Sequence, residues 1–207
     1  MPAAPAAPGP ARSPAPHGDD PRVVRTREHV LAATAALLAE HGFERTTIDA
    51  VAERSGVARS TIYRHWPERG HLLVDAFASA SPRLVDVDTG SLAGDLRAVA
   101  RLLRDHLGAS PMSAALPSLF GAARHDPTLR DAARRFSRER RTQLRALLER
   151  ARERGEIGPG HDLDLAVVRF VGPFFYRALL ADEPVTEAFA AAVVRATLTE
   201  LSAPTQP

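Results

Sequence analysis

Apolar positions recur along this chain at spacings of three and four, and no stretch shows the alternation that a half-buried strand would leave. From Val24 onward, Val30, Leu31, Thr34, Leu37, Leu38 and His41 fall on one helical face, and Gly42 stands where a C-terminal stop belongs. A second helix starts at Thr46 or Thr47, either able to cap free amides, and runs through Ile48, Val51 and Ala52 to Ser55, with Gly56 ending it. A short third helix, from about Ala58 to Trp66, precedes Pro67. The fourth begins near Glu68, carries Leu72, Leu73, Ala76 and Phe77, and closes at Pro82.

Residues 83–90 read as a linker. A longer helix resumes near Ser91 with Leu92, Leu96, Val99, Leu102, Leu103 and His106 on its stripe, and Gly108 stops it. Ser110 and Pro111 offer a cap and a first helical residue, while Pro117 implies a kink or break soon after. Asp126 and Pro127 repeat the device and open the longest helix, to about Arg154, with Gly155 as terminator. Residues 163–181 are apolar nearly all round, which predicts burial on more than one side. The last helix, about Thr186 to Leu201, turns Phe189, Val193, Ala196, Thr197 and Leu201 to one face. The pattern predicts an all-α fold of about nine helices, with no internal repeat.

At 207 residues the chain suits one full domain, or a small domain fused to a mid-sized one, given roughly 100 to 200 residues per domain. Aromatics are only 5%, so alanine and leucine must fill most of the interior. The absence of cysteine removes disulfides, thiolate metal sites and cysteine nucleophiles together. All 27 basic residues are arginine, which reconciles a formal charge of +2 with a pI near 9.8 and makes net charge a weak argument for nucleic acid. No apolar run approaches the length of a membrane span. Residues 1–21 hold seven of the 17 prolines and lack the apolar core of a secretory signal, so they read as a disordered Pro/Ala tail on a cytoplasmic protein. The eight histidines are scattered, with no HExxH, GxSxG or phosphate-cradling glycine loop, so no catalytic residue, metal ligand or cofactor is assigned.

The informative stretch is TTIDAVAERSGVARSTIYRHW, residues 46–66. Two short helices that cross closely need a small residue, here Ala52; the turn needs a residue tolerant of positive φ, here Gly56; Val57 and Ile62 fill the angle between them. That is the spacing of a helix-turn-helix. It leaves Arg59, Ser60, Arg64 and His65 facing outward as groups able to reach base edges, whereas Trp66 suits a core that locks the short helix onto the first.

From Val24 to Phe77 the sequence resembles the DNA-binding domain of the TetR/AcrR family of bacterial transcriptional regulators. The resemblance rests on HGFERTTIDAVAERSGVARSTIYRHWPERGHLL: a Gly-Phe pair after the first helix, a Gly-Val turn, a tyrosine in the recognition helix and an aromatic followed by proline at its end. RGEIGPGHDLD and VGPFFYRALL match more loosely. The resemblance implies that Thr47 and Tyr63 bind backbone phosphate, that Arg69 binds phosphate near a helix N-terminus, and that Arg59, Ser60, Thr61, Arg64 and His65 face the groove. Two positions depart from the family pattern. Ala58 replaces a frequent capping serine, at a cost of about 1 kcal/mol, and Arg69 replaces a lysine, with Gly70 loosening the helix start behind it.

The resemblance further implies a DNA-binding unit over residues 22–81 and an effector-binding and dimerisation unit over 82–207. The protein is then expected to be a homodimeric regulator, most often a repressor, bound to a double-stranded operator and released by a small molecule. The apolar helix 163–181 and the last helix would pair with their twofold mates, setting recognition helices about 34–36 Å apart. Pocket candidates on the helices after Ser91 are Leu102, His106, Phe120, Phe136, Phe170, Phe174 and Tyr176. The arginine-rich run 136–154 reads as the outer face of a long helix, with partners three or four residues apart. The alternative reading is a helical protein-interaction module that has lost operator binding.

Overall fold

A computed structural model describes residues 21–81, 83–84, 87–108 and 116–202. The Pro/Ala tail, the Pro82 stop and the Ser110–Pro111 cap lie outside the described residues. Nine α-helices and no strand occur among those described: α1 (Pro21–Arg45), α2 (Ile48–Ser55), α3 (Arg59–His65), α4 (Arg69–Ala80), α5 (Leu92–Gly108), α6 (Leu116–Ala123), α7 (Pro127–Glu153), α8 (Leu163–Phe175) and α9 (Glu187–Ser202). α1 packs on α2 and α4, α4 leans on α7, and α5 is enclosed by α7, α8 and α9.

The stops fall where the chemistry puts them. Gly42 leaves helical geometry (φ +74°) and breaks the last turn off α1, and Gly56 ends α2 in the left-handed region (φ +66°, ψ +10°). Asp126 caps α7 by accepting from the Leu129 amide at 3.0 Å, with Pro127 in the first turn. Pro117 also sits in the first turn, of α6, where no amide donor is required; the stretch before Leu116, where the expected kink or break would show, lies outside the described residues.

Two positions were expected inside and lie outside. His41 is exposed beside Glu40, and Ala196 faces solvent while Ala190, Val193, Val194, Thr197 and Leu201 form the buried face of α9. The larger correction concerns α8. Leu163, Ala166, Val167, Phe170 and Phe174 are buried, but Leu165, Val168 and Tyr176 are 44%, 53% and 63% exposed and Leu180 is 75% exposed. Among the described residues nothing covers that outer stripe. Pro173 removes the amide that would have bonded the Arg169 carbonyl, and the chain widens into a π-turn over Tyr176–Leu180, with the Ala181 amide donating to the Tyr176 carbonyl at 2.9 Å.

The arginines of α7 do more than pair along their own helix. Arg145 and Arg152 meet Glu149 at i,i+4 and i,i+3 spacing, but Arg140, Arg150 and Arg152 also donate to the carbonyls of Ala78, Val87 and His161. They fasten the last turn of α4 and two connecting segments to the long helix. Glu156, just past α7, accepts from the Leu92 amide and from Arg154, both at 2.6 Å, and so ties that loop to the start of α5. The Arg154 hydrogen bond, then the Leu92 amide, holds the Glu156 carboxyl below its ordinary pKa.

Candidate nucleic-acid interface and ligand cavity

The two short helices α2 and α3 are set by their ends. Thr47, in extended geometry, caps α2 by accepting from the Ala50 amide at 3.2 Å; Thr46 does not cap, its buried hydroxyl donating instead to the Gly42 carbonyl at 2.8 Å. Arg54 grips Glu40 through two bonds of 2.9 and 2.6 Å, pinning α2 to α1. α3 starts at Ala58 without a side-chain cap, as its sequence requires, and is anchored by the fully buried Ile62.

At 100° per residue, Arg59, Ser60, Tyr63 and Arg64 span an arc of roughly 140° on α3, and all four are exposed. Thr61 and His65 are half-buried on the flanks, the His65 ring tilted against Trp66 at 5.7 Å. Arg59 meets Asp49 of α2 at 2.9 Å. So exposed a pair is worth about 1 kcal/mol at most, which leaves the guanidinium exchangeable for another acceptor. Trp66 is buried, and its indole N–H donates to Asp75 of α4 at 2.9 Å. The same carboxylate holds Arg27 of α1 at 2.6 Å, and the Arg27 guanidinium covers the indole at 5.1 Å.

Arg69 is placed differently from its expected phosphate contact. Its Nε donates to the Thr46 carbonyl at 2.9 Å, an Nη donates to the Phe43 carbonyl, and the guanidinium covers the Phe43 ring at 4.5 Å. Burial pushes its pKa down, with Glu44 and Asp126 opposing. The side chain clamps the turn that carries Thr47. Gly70 is likewise not a loose start: it is buried, and a Cβ there would stand 3.2 Å from the Leu129 backbone, so glycine permits α4 to touch α7.

A cavity of about 360 Å³ opens beyond this contact, walled by α4, α5, α6, α7 and α8. Leu102, His106, Phe120 and Phe136 line it as the sequence suggested. Phe170, Phe174 and Tyr176 do not: Phe170 and Phe174 stack edge to face at 5.8 Å, Phe174 meets Phe189 at 5.8 Å in the core between α8 and α9, and Tyr176 lies on the outer stripe. Phe77 joins the two regions. Its ring packs against His106 at 5.5 Å and Phe136 at 5.3 Å, and its neighbours Val74 and Ser81 also line the cavity from α4.

Sequence families match both parts of the chain: residues 30–76 match "Bacterial regulatory proteins, tetR family", and residues 86–197 match "Tetracyclin repressor-like, C-terminal domain". The chain belongs to the TetR family. It is thus a DNA-binding transcriptional regulator built on the all-α TetR fold. This TetR-family chain is 34% identical over 171 residues to the uncharacterized HTH-type transcriptional regulator YdeS of Bacillus subtilis (strain 168), covering 82% of this chain and 86% of that one. It is also 34% identical over 139 residues to the DNA-binding transcriptional repressor TetR of Mycobacteroides abscessus, covering 66% and 73% respectively. Its fold resembles the crystal structure of the TetR family transcription regulator SCO0332 with a TM-score of 0.75 and 34% identity, covering 87% of this chain and all of that one. No helix among the described residues is long and apolar enough to cross a membrane.

Sequence reasoning missed the α4 side of the TetR-like cavity, because Val74, Phe77 and Ser81 had been counted with the DNA-binding unit. It also missed Arg140, which lines the cavity one turn beyond Phe136. The i,i+4 spacing of those two was the signal available.

Proposed function

We propose that the chain is a homodimeric repressor that a small molecule releases from its operator. One observation carries this reading: α4 holds the recognition helix and walls the cavity with the same few turns. Asp75 grips Trp66 at the end of α3, while Val74, Phe77 and Ser81 face the cavity. A ligand that displaces the Phe77 ring shifts α4 and, through Asp75, α3. Two recognition helices moved apart no longer engage both half-sites, and the avidity of the pair is lost.

The division of labour follows. Residues 22–81 form the DNA-reading unit, and 82–207 sense ligand and dimerise. Thr47 and Tyr63 take phosphate, Arg59, Ser60 and Arg64 read the groove, Thr61 and His65 stand at its edge, and Arg69 fixes the turn instead of touching DNA. The uncovered stripe Leu165, Val168, Tyr176 and Leu180 supports a twofold contact through α8, because apolar area of that kind is normally covered. The name of the Mycobacteroides abscessus relative supports repression.

The test is binding to the chain's own upstream DNA by mobility shift across a salt series, with Arg59→Ala and Tyr63→Ala in parallel. Specific binding that falls steeply with salt and weakens in both variants is expected. Binding indifferent to both substitutions overturns the reading in favour of a protein-interaction module. A monomer at micromolar concentration overturns the dimer.

A further inference from the structure

The cavity wall is apolar over most of its area, and its polar groups gather where α4, α5 and α7 meet. The Ser81 hydroxyl donates to the Phe77 carbonyl at 2.8 Å and lies 3.3 Å from His106 Nε2. Arg140 donates to the Ala78 carbonyl and to Gln143 Oε1, each at 3.2 Å, and its guanidinium covers the Phe136 ring at 5.0 Å. Next to it Arg141 stands at the exposed rim, near Ser137 and Phe120. No aspartate or glutamate lines the cavity among the described residues. It is a half-buried cationic end on an apolar chamber.

The geometry points to a small apolar monocarboxylate as the ligand of this cavity, its body among Leu102, Leu116, Leu119, Val167 and Phe175 and its carboxylate on Arg140. An arginine fork matches a carboxylate in shape and charge, and a charge-assisted bond is roughly twice as strong as one to a neutral carbonyl. The ligand's anion therefore draws Arg140 off the Ala78 carbonyl, which is the last turn of α4. Burial lowers the Arg140 pKa, the mark of a cation partly stripped of water, and an anion relieves that penalty. At about 360 Å³ the chamber lies at the small end of the usual 300–1,000 Å³, which suits a compact acid and excludes a bulky polyanion. That this acid acts as the effector rests on the repressor reading above; that it binds does not.

The experiment is calorimetric titration of the full chain with octanoate and 4-phenylbutyrate against octanamide, octan-1-ol and octylamine. The acids are expected to bind at least tenfold more tightly than the amide, the alcohol or the amine. Arg140→Met is expected to erase that preference while octan-1-ol still binds, which shows the chamber intact; Arg140→Lys should keep part of it. Equal or tighter binding of the neutral or cationic probes, a preference that survives Arg140→Met, or no binding by any probe overturns the proposal. The ligand series on the unsubstituted chain decides even if the methionine variant fails to fold. A mobility shift with octanoate separates the two ideas. Acid binding without DNA release upholds the ligand class and overturns the effector role, whereas release only by the neutral probes overturns the class alone.

Discussion

Asp75 joins three helices through one carboxylate oxygen, and its replacement by alanine isolates what that oxygen contributes. The substitution leaves the Trp66 indole N–H buried without its acceptor, at a cost of about 1–3 kcal/mol. It also removes the ion pair to Arg27, whose side chains are 44% and 38% exposed, so solvent screening holds that contribution to about 0–1 kcal/mol. Together Asp75→Ala should cost about 1–4 kcal/mol. Asp75→Asn keeps an acceptor for the indole and loses only the charge, so it should cost about 1 kcal/mol or less. For a chain of this length each kcal/mol moves Tm by roughly 2–4 °C, giving drops of about 2–16 °C for alanine and under about 4 °C for asparagine. Trp66 is the sole tryptophan, so its fluorescence in urea melts reports on this site directly. Protein concentration is held fixed, since any self-association would change apparent stability. The reasoning fails if alanine and asparagine destabilise equally, or if alanine shifts stability by less than about 0.5 kcal/mol, the ordinary range for surface changes.

Gly70→Ala gains up to about 1 kcal/mol of helix propensity but forces α4 against the Leu129 backbone, an overpacking cost of about 1–3 kcal/mol. A net loss is expected in thermal melts, and a raised Tm would refute the close-contact role. Asp126→Ala should remove about 1 kcal/mol by uncapping α7, read as a Tm drop of about 2–4 °C. Burial, then the Arg140 charge, holds His106 below its ordinary pKa of 6.5, so its neutral form contributes stability that is fully present above that value. That contribution is lost as pH falls from 6.5 through the lower folded pKa, because the unfolded chain takes up the proton first. The urea midpoint should therefore fall further between pH 7.5 and 5.5 in the parent than in His106→Gln; parallel falls would count against it.

Local grammar made the helices legible. Asp126–Pro127, Gly42 and Gly56 mark helix ends by chemistry that operates within a few residues, and the helix-turn-helix spacing set Ile62 inside and Arg59, Ser60 and Arg64 outside. What failed was knowledge of neighbours. Periodicity says which side of a helix is apolar, not what lies opposite, so the core stack of Phe170 and Phe174 with Phe189 read as a possible pocket and the bare side of α8 as buried. The inward turn of Arg69 depends on carbonyls at Phe43 and Thr46, more than twenty residues upstream. Gly70 had no visible reason in sequence, because that reason is the Leu129 backbone.

The double duty of α4 bears on grafting. A chimera cut in the 83–90 linker, where the sequence invites it, would import Val74, Phe77 and Ser81 from one parent to face a chamber built for another. The C-terminal half would inherit a foreign wall, and Gly70 would meet a new Leu129 counterpart without matched clearance. Transplanting this chain's operator specificity onto another sensor calls for a seam at Glu68, carrying α1 to α3 alone and refitting Arg27 and Trp66 to the host's own fourth helix.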